Sequence, residues 1–147
     1  MEVLVKMASF WKKSTTAINK LVEEVTDVSW HNYAAGYRDV EFSFRGARYR
    51  LVSTGDLYRI DYTGMPTLVR AFQGKYKDEV VAIVAIIAST GYYTRTKKQY
   101  RLKDLVWAAF GDSDLPSKAS IICKNGNWKS CGIDNLEVRR WNTLKKK

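Results

Sequence analysis

The densest run of residues able to do chemistry spans positions 92–103. It holds Tyr92, Tyr93, Arg95, Lys97, Lys98, Tyr100, Arg101 and Lys103. Alternate residues of a strand share one face. A face carrying Tyr93, Arg95 and Lys97, with Arg101 and Lys103 from a returning strand, grips phosphates, while tyrosine stacks or donates a hydrogen bond. A second set follows: Lys124, Trp128, Lys129, Arg139 and Arg140. The cations add phosphate contacts. An exposed Trp128 would stack on a base, although a Trp beside a Gly-Asn turn more often packs as a cap. The closing lysines, 145–147, read as a frayed basic tail.

Groups for other chemistry are few. The only histidine is His31, far upstream of both basic sets. A metal-dependent nuclease needs a base for water and hard oxygen ligands for the cation. Residues 118–129 contain no Asp and no Glu. Cys123 offers a thiol, a poor ligand for a hard cation. Cys123 and Cys131 are the only cysteines. Zinc would need two more soft ligands. The sequence therefore predicts two free thiols in a reducing compartment, with no metal and no cofactor.

Residues 91–141 carry a recognisable frame: Gly91, Tyr92 and Tyr93; Leu105, Val106 and Phe110; Gly126 and Asn127; then Ile133, Asp134, Asn135, Leu136 and Glu137. This frame resembles the HNH homing endonucleases common in phages. The resemblance implies a C-terminal ββα-metal motif whose two-stranded element touches DNA. It also puts Lys103 where the family has its first His, Cys123 at the general-base His, and Asn125 at the metal-binding Asp. Only Asn135 matches a functional position. A protein with the frame but not the catalytic groups is expected to bind duplex DNA and not to cut it, with no catalytic residue. The run 57–70, LYRIDYTGMPTLVR, loosely resembles a module that often precedes the HNH part. The phage setting implies the host cytoplasm and a regulatory or host-takeover role.

Two alternatives stand beside this reading. One is a phage protein that binds and inhibits a host enzyme, using the acidic Glu23, Glu24 and Asp27. The other is an active nuclease in which Asp104, Asp112 or Asp114 reaches Asn135.

Composition agrees with a polyanion partner. The chain has 147 residues, 25 Lys plus Arg against 15 Asp plus Glu, and a net charge of +10. Such a charge favours nucleic acid through counterion release. The length suits one domain or two small modules, 1–75 and 76–147. The longest apolar stretch, 80–88, is too short for a bilayer. The start lacks the order of a signal peptide.

The predicted elements give an α+β chain of short hairpins and helices. A helix is expected over 8–25 with Ser9 as N-cap, and a loop over 27–37. Hairpins are expected over 40–44 with 48–52 and over 56–62 with 67–72. A helix is expected over 75–89, although its β-branched run 80–88 also fits a buried strand. The remainder reads as a hairpin of 92–95 with 99–102, a helix over 102–110, strands 119–123 and 128–130 joined by a type I′ Asn-Gly turn, and a final helix from 133.

Overall fold

The computed structural model describes residues 11–33, 36–76, 79–87 and 97–141, with Tyr76 and Lys97 described through their backbone alone. Helix α1 is Thr16–Glu24. Thr15 caps it by accepting the Ile18 amide at 3.4 Å. Asn19 reaches back to accept the Ser14 amide at 2.9 Å, which holds the entry. Ile18 and Leu21 bury the inner face. Residues 12–15 are not helical, so within the described residues the helix starts later than Ser9 suggested.

Five strands follow in a meander: β1 (Val25–Asn32), β2 (Arg38–Phe44), β3 (Ala47–Val52), β4 (Leu57–Ile60) and β5 (Pro66–Leu68), ordered as in the chain. The β2–β3 hairpin follows the alternation of the sequence, with Phe42 opposite Tyr49 and Phe44 opposite Ala47. Its turn rests on Arg45 at φ 46° and Gly46 at φ 88°, the pair of positive angles that suits the strand twist. The β4–β5 hairpin also forms. Asp61 organises its tip by accepting the Thr63 and Met65 amides at 2.9 and 3.0 Å.

Strand β1 replaces the expected loop. Its register shifts between Thr26 and Ser29, where Asp27 sits at φ 52°. That bulge inserts a residue. The inward residues Val25, Val28 and Trp30 therefore lose an even spacing and hide the strand from a period-two reading.

The second sheet is β6 (Phe72–Tyr76), β7 (Glu79–Ile87) and β8 (Lys97–Arg101), with β7 in the middle. No helix occupies 79–87; the strand alternative holds there. Ala82, Val84 and Ile86 enter the core, and Ile83, Ala85 and Ile87 remain half-buried on the other face. β-branched side chains that lose rotamer freedom in a helix pack well on such a pleated surface. The basic strand β8 pairs with β7, Ile83 opposite Arg101 and Ile87 opposite Lys97. Its expected partner, 92–95, lies outside the described residues.

Helix α2 is Leu102–Phe110, as the sequence predicts, and every side chain in it is buried. The third sheet pairs β9 (Ala119–Cys123) with β10 (Leu136–Arg140). The partner of β9 is therefore not 128–130, and no helix begins at 133. A single 3-10 turn, Ile133–Asn135, leads into β10. Leu136 and Val138 contact the core two residues apart, a strand spacing. The Asn-Gly pair also departs from type I′. The Gly126 amide bonds the Cys123 carbonyl at 3.0 Å, so Lys124 and Asn125 are the central residues, and only Gly126 has a positive φ, 77°.

The fold class is accordingly corrected. Among the described residues the structure is 47% strand and 18% helix, with two α-helices and three antiparallel sheets. This mostly β architecture is not the ββα HNH-type α+β fold that the resemblance implied.

One apolar cluster joins both halves of the chain. Phe42 and Leu51 of the large sheet, Ile86 of β7, Leu105 and Val106 of α2, and Ile121 and Leu136 of the small sheet all belong to it. Burying each such side chain contributes about 1.5–3 kcal/mol relative to exposure. The β3–β4 turn then meets the segment before the 3-10 turn, where the Ile133 amide donates to the Ser53 carbonyl at 2.8 Å.

Candidate nucleic-acid interface

The start of α2 carries two charged side chains taken out of water. Lys103 is 5% exposed and Asp104 is 4% exposed. Lys103 Nζ pairs with Glu79 Oε2 at 2.7 Å, and Arg101 Nε with Asp104 Oδ2 at 2.8 Å. Buried charges persist only when paired. Burial pushes the Asp104 carboxyl above the usual carboxylate range, and the Arg101 and Lys103 charges pull it part of the way back.

Two clefts meet at this point. One, of about 640 Å³, includes Glu79, Arg101, Lys103, Asp104, Ser120 and Trp141 in its lining. The other, of about 360 Å³, includes Glu79, Lys103, Cys123, Gly126 and Trp128. Both share Glu79 and Lys103. Between them they take all five residues of β9. The clefts thus run along β9, whose only ladder partner among the described residues is β10 on its other side.

Cations stand at both ends of this strand pair. At one end, Arg140 lies opposite Ala119 in the ladder, and Lys118 is exposed with its carbonyl accepting the Trp141 amide at 2.8 Å. Trp141 is 53% exposed, and its ring N–H donates to Ser120 Oγ at 2.9 Å. At the other end, exposed Lys124 and Lys129 sit on the 124–130 loop. None of Lys118, Lys124, Lys129 and Arg140 forms an ion pair among the described residues. Lys124 also borders a hollow shared with Asp112, Asp134 and Glu137. At about 3.4 Å per residue, the two ends lie roughly 14 Å apart.

Asparagines hold the loop in shape. Asn125 Oδ1 accepts the Asn127 amide at 2.8 Å, and Asn127 Oδ1 accepts the Lys129 amide at 3.0 Å. Asn135 spans the loop, donating from Nδ2 to Asn125 Oδ1 at 3.1 Å and to the Ser130 carbonyl at 2.8 Å. Asn135, the one residue matching a functional position of the resembled family, here braces a turn.

The expected site residues separate into groups. Tyr93 and Arg95 lie outside the described residues, and Lys97 is described only as backbone. Lys98 is exposed on β8. Arg101 and Lys103 are engaged with Asp104 and Glu79 and do not share an open strand face; Lys103 belongs to α2. Trp128 is partly buried against the core, with Lys129 Nζ 5.6 Å from its ring centroid. Arg139 is exposed and pairs with Glu137 at 2.9 Å. Among the acids of the nuclease alternative, Asp114 accepts the Lys13 amide at 2.9 Å and Asp104 faces Arg101. No three His, Cys, Asp or Glu side chains gather as a metal site among the described residues. Three arginines of the large sheet and its turn are matched by acids: Arg45 by Glu24 at 2.9 Å, and Arg48 and Arg50 by Glu41 at 3.1 and 2.8 Å; Arg38 and Arg59 instead lie over the Phe110 and Tyr49 rings, 5.4 and 5.7 Å from the centroids.

Lys118 and Glu79 are not legible as site residues in the sequence, whereas Trp141 closes the C-terminal frame beside Arg139 and Arg140. The contacts that place Lys118 and Glu79 join residues distant in the chain, and no local pattern signals them.

Cys131 is buried and Cys123 half-buried. Burial raises the Cys123 thiol, and burial together with the neighbouring Cys123 pushes Cys131 up to about 12. The thiol form resists alkylation. Iodoacetamide at pH 8 is therefore expected to leave Cys131 intact in native protein and to modify both cysteines after denaturation. Mass spectrometry that finds Cys131 alkylated within minutes in native protein would contradict the burial.

No known protein family, curated protein or solved structure matches the chain. No helix among the described residues is long and apolar enough to cross a membrane.

Proposed function

We propose that the protein binds duplex DNA through its phosphates, along the β9–β10 pair, without cutting it. The observation that carries this reading is the uneven neutralisation of charge. On the large sheet, acids match Arg45, Arg48 and Arg50, while Arg38 and Arg59 are laid over aromatic rings. Around β9–β10, Lys118, Lys124, Lys129 and Arg140 stay unmatched and flank a groove. Unmatched surface cations release counterions when they meet phosphates, which drives association in a sequence-independent way. Trp141 at the groove mouth adds a stacking face.

Binding without cleavage fits the side chains at the positions taken from the resemblance. Lys103 is held by Glu79, Cys123 offers a half-buried thiol in place of a base, and Asn125 is consumed in bracing its loop. The test is fluorescence anisotropy of a labelled duplex with the Lys118, Lys124, Lys129 and Arg140→Ala variant. Loss of affinity with an unchanged melting temperature supports the proposal; wild-type affinity sinks it.

A second reading, docking to a host protein, is favoured by one observation. Tyr62, Met65, Leu68 and Phe72 are exposed apolar side chains in and just after the β4–β5 hairpin, and Tyr62 is fully exposed. Apolar residues gathered on a surface mark interaction sites. A partner retained at high salt and lost in a Tyr62→Ala, Met65→Ala variant would support it.

A further inference from the structure

The outer face of the large sheet holds a hydrogen-bonded relay that the DNA-binding reading does not use. His31 Nδ1 lies 2.8 Å from Asp39 Oδ1, and Ser29 Oγ lies 3.3 Å from His31 Nε2. The two contacts use different ring nitrogens. In the neutral ring a proton on Nδ1, donated to the carboxylate, leaves the Nε2 lone pair toward the serine hydroxyl. Asp39 is buried, its side chain 4% exposed, whereas the His31 side chain is 41% exposed and open to a reactant. Tyr33 donates to the other carboxylate oxygen at 2.9 Å, which fixes Asp39 from its far side. A nucleophile, a base within reach of it, and a buried group orienting that base are the three parts of activated-serine chemistry.

The backbone supports this placement. Ser29 and His31 project from the same face of β1, two residues apart, and Asp39 is the cross-strand partner of His31. The bulge falls immediately before Ser29, with Asp27 at φ 52°. It leaves the Asp27 and Val28 peptides outside the β1–β2 register. Bulges recur beside active sites, where they re-aim side chains and free amides. The other charged groups on this face are Glu41, opposite Ser29, and the Arg48 and Arg50 that hold it at 3.1 and 2.8 Å. Arg50 also comes within 3.8 Å of Asp39.

We propose that Ser29, His31 and Asp39 form a nucleophilic site that cleaves small, unhindered carboxylic esters. Ser29 Oγ bonds to the ester carbonyl carbon while its proton passes to His31 Nε2. The carbon–oxygen bond to the leaving group then breaks, and the alcohol departs with that proton. Water attacks the acyl-serine next, gives one proton to Nε2, and releases the carboxylic acid as the serine recovers its hydrogen. The open face of an edge strand admits small acyl groups and encloses no long chain.

The test uses the full chain, a fluorophosphonate probe and 4-nitrophenyl acetate. The probe is expected to label Ser29, located by peptide mapping. Ser29→Ala and His31→Gln should each slow nitrophenol release by about 100-fold or more, in the range set by positioned acid–base catalysis. Both substitutions lie on the half-exposed face of an edge strand, and melting curves confirm that the fold is kept. Asp39→Asn should slow the reaction as well, by losing the productive tautomer. An unlabelled Ser29, or a Ser29→Ala variant that hydrolyses the ester at the wild-type rate, would overturn the proposal.

Discussion

Gly55→Ala is expected to destabilise the protein by about 3 kcal/mol, through strain, lost hydrogen bonding and displaced packing together. Gly55 sits at φ +99°, and a Cβ there would lie 2.9 Å from both the Cys131 carbonyl carbon and the Gly132 nitrogen. Those atoms are backbone and cannot swing aside. The β3–β4 turn would have to withdraw from residues 131–133, weakening the Ile133 amide bond to Ser53. For a chain of this size each kcal/mol lowers the melting temperature by about 2–4 °C, so a fall of about 6–12 °C is expected. Gly64 is the control. It has φ +91° but open space around the added carbon. Gly64→Ala carries only the backbone strain, about 1–2 kcal/mol, and should melt several degrees above Gly55→Ala. Equal melting temperatures in calorimetry would show that the approach of the two backbones is not tight.

Removing the four unmatched cations should produce the largest change in binding. Each lysine or arginine that neutralises a phosphate adds about 0.9 to the salt slope of the log affinity. Alanine at Lys118, Lys124, Lys129 and Arg140 should therefore flatten the slope by about 3–4 and weaken binding at 0.1 M salt by about 10²–10³-fold. Exposed positions away from packing change stability by only about 0.5 kcal/mol each, so the loss is separable from unfolding. Arg48→Ala with Arg50→Ala is the matched comparison. Glu41 already balances those guanidiniums; their contact lowers its carboxyl, the Arg50 hydrogen bond most of all. Their removal should leave the slope nearly unchanged. If that pair flattens the slope and the four-cation variant does not, the interface lies on the large sheet.

The parts of the fold that could be read from the sequence are those written in local alternation. Val40, Phe42 and Phe44 against Tyr49 and Leu51 gave the β2–β3 hairpin its register. Leu105, Val106, Ala109 and Phe110 marked α2. Where the pattern failed, a non-local partner had decided the structure. The apolar run at 80–87 fits a helix or a strand until Phe72–Tyr76 and Lys97–Arg101 flank it. The Asn-Gly signal at 125–126 suggested a tight hairpin, but three asparagine side chains build a longer loop and β9 pairs instead with Leu136–Arg140. The resemblance to a nuclease frame matched residue types in the C-terminal third and implied a closing helix that the chain does not form there. Among the site residues, exposure of Lys124 follows from its turn position, whereas Lys129 and Arg140 lie on a loop and a strand end where the sequence suggested a strand and a helix. The burial of Lys103 follows from no local position, because it depends on Glu79, 24 residues earlier. The relay of Ser29, His31 and Asp39 was hidden for a related reason: the bulge disguised β1 as a loop.

The most direct test of DNA binding through phosphates is a salt titration of the unmodified protein on a duplex of about 30 base pairs. Log affinity should fall linearly with log salt, with a slope near −4 or steeper, as expected when at least four cations displace counterions. Duplexes of unrelated sequence should give the same line. Absence of binding at 50 mM salt, or affinity that stays constant as salt rises to 200 mM, would contradict the proposed function.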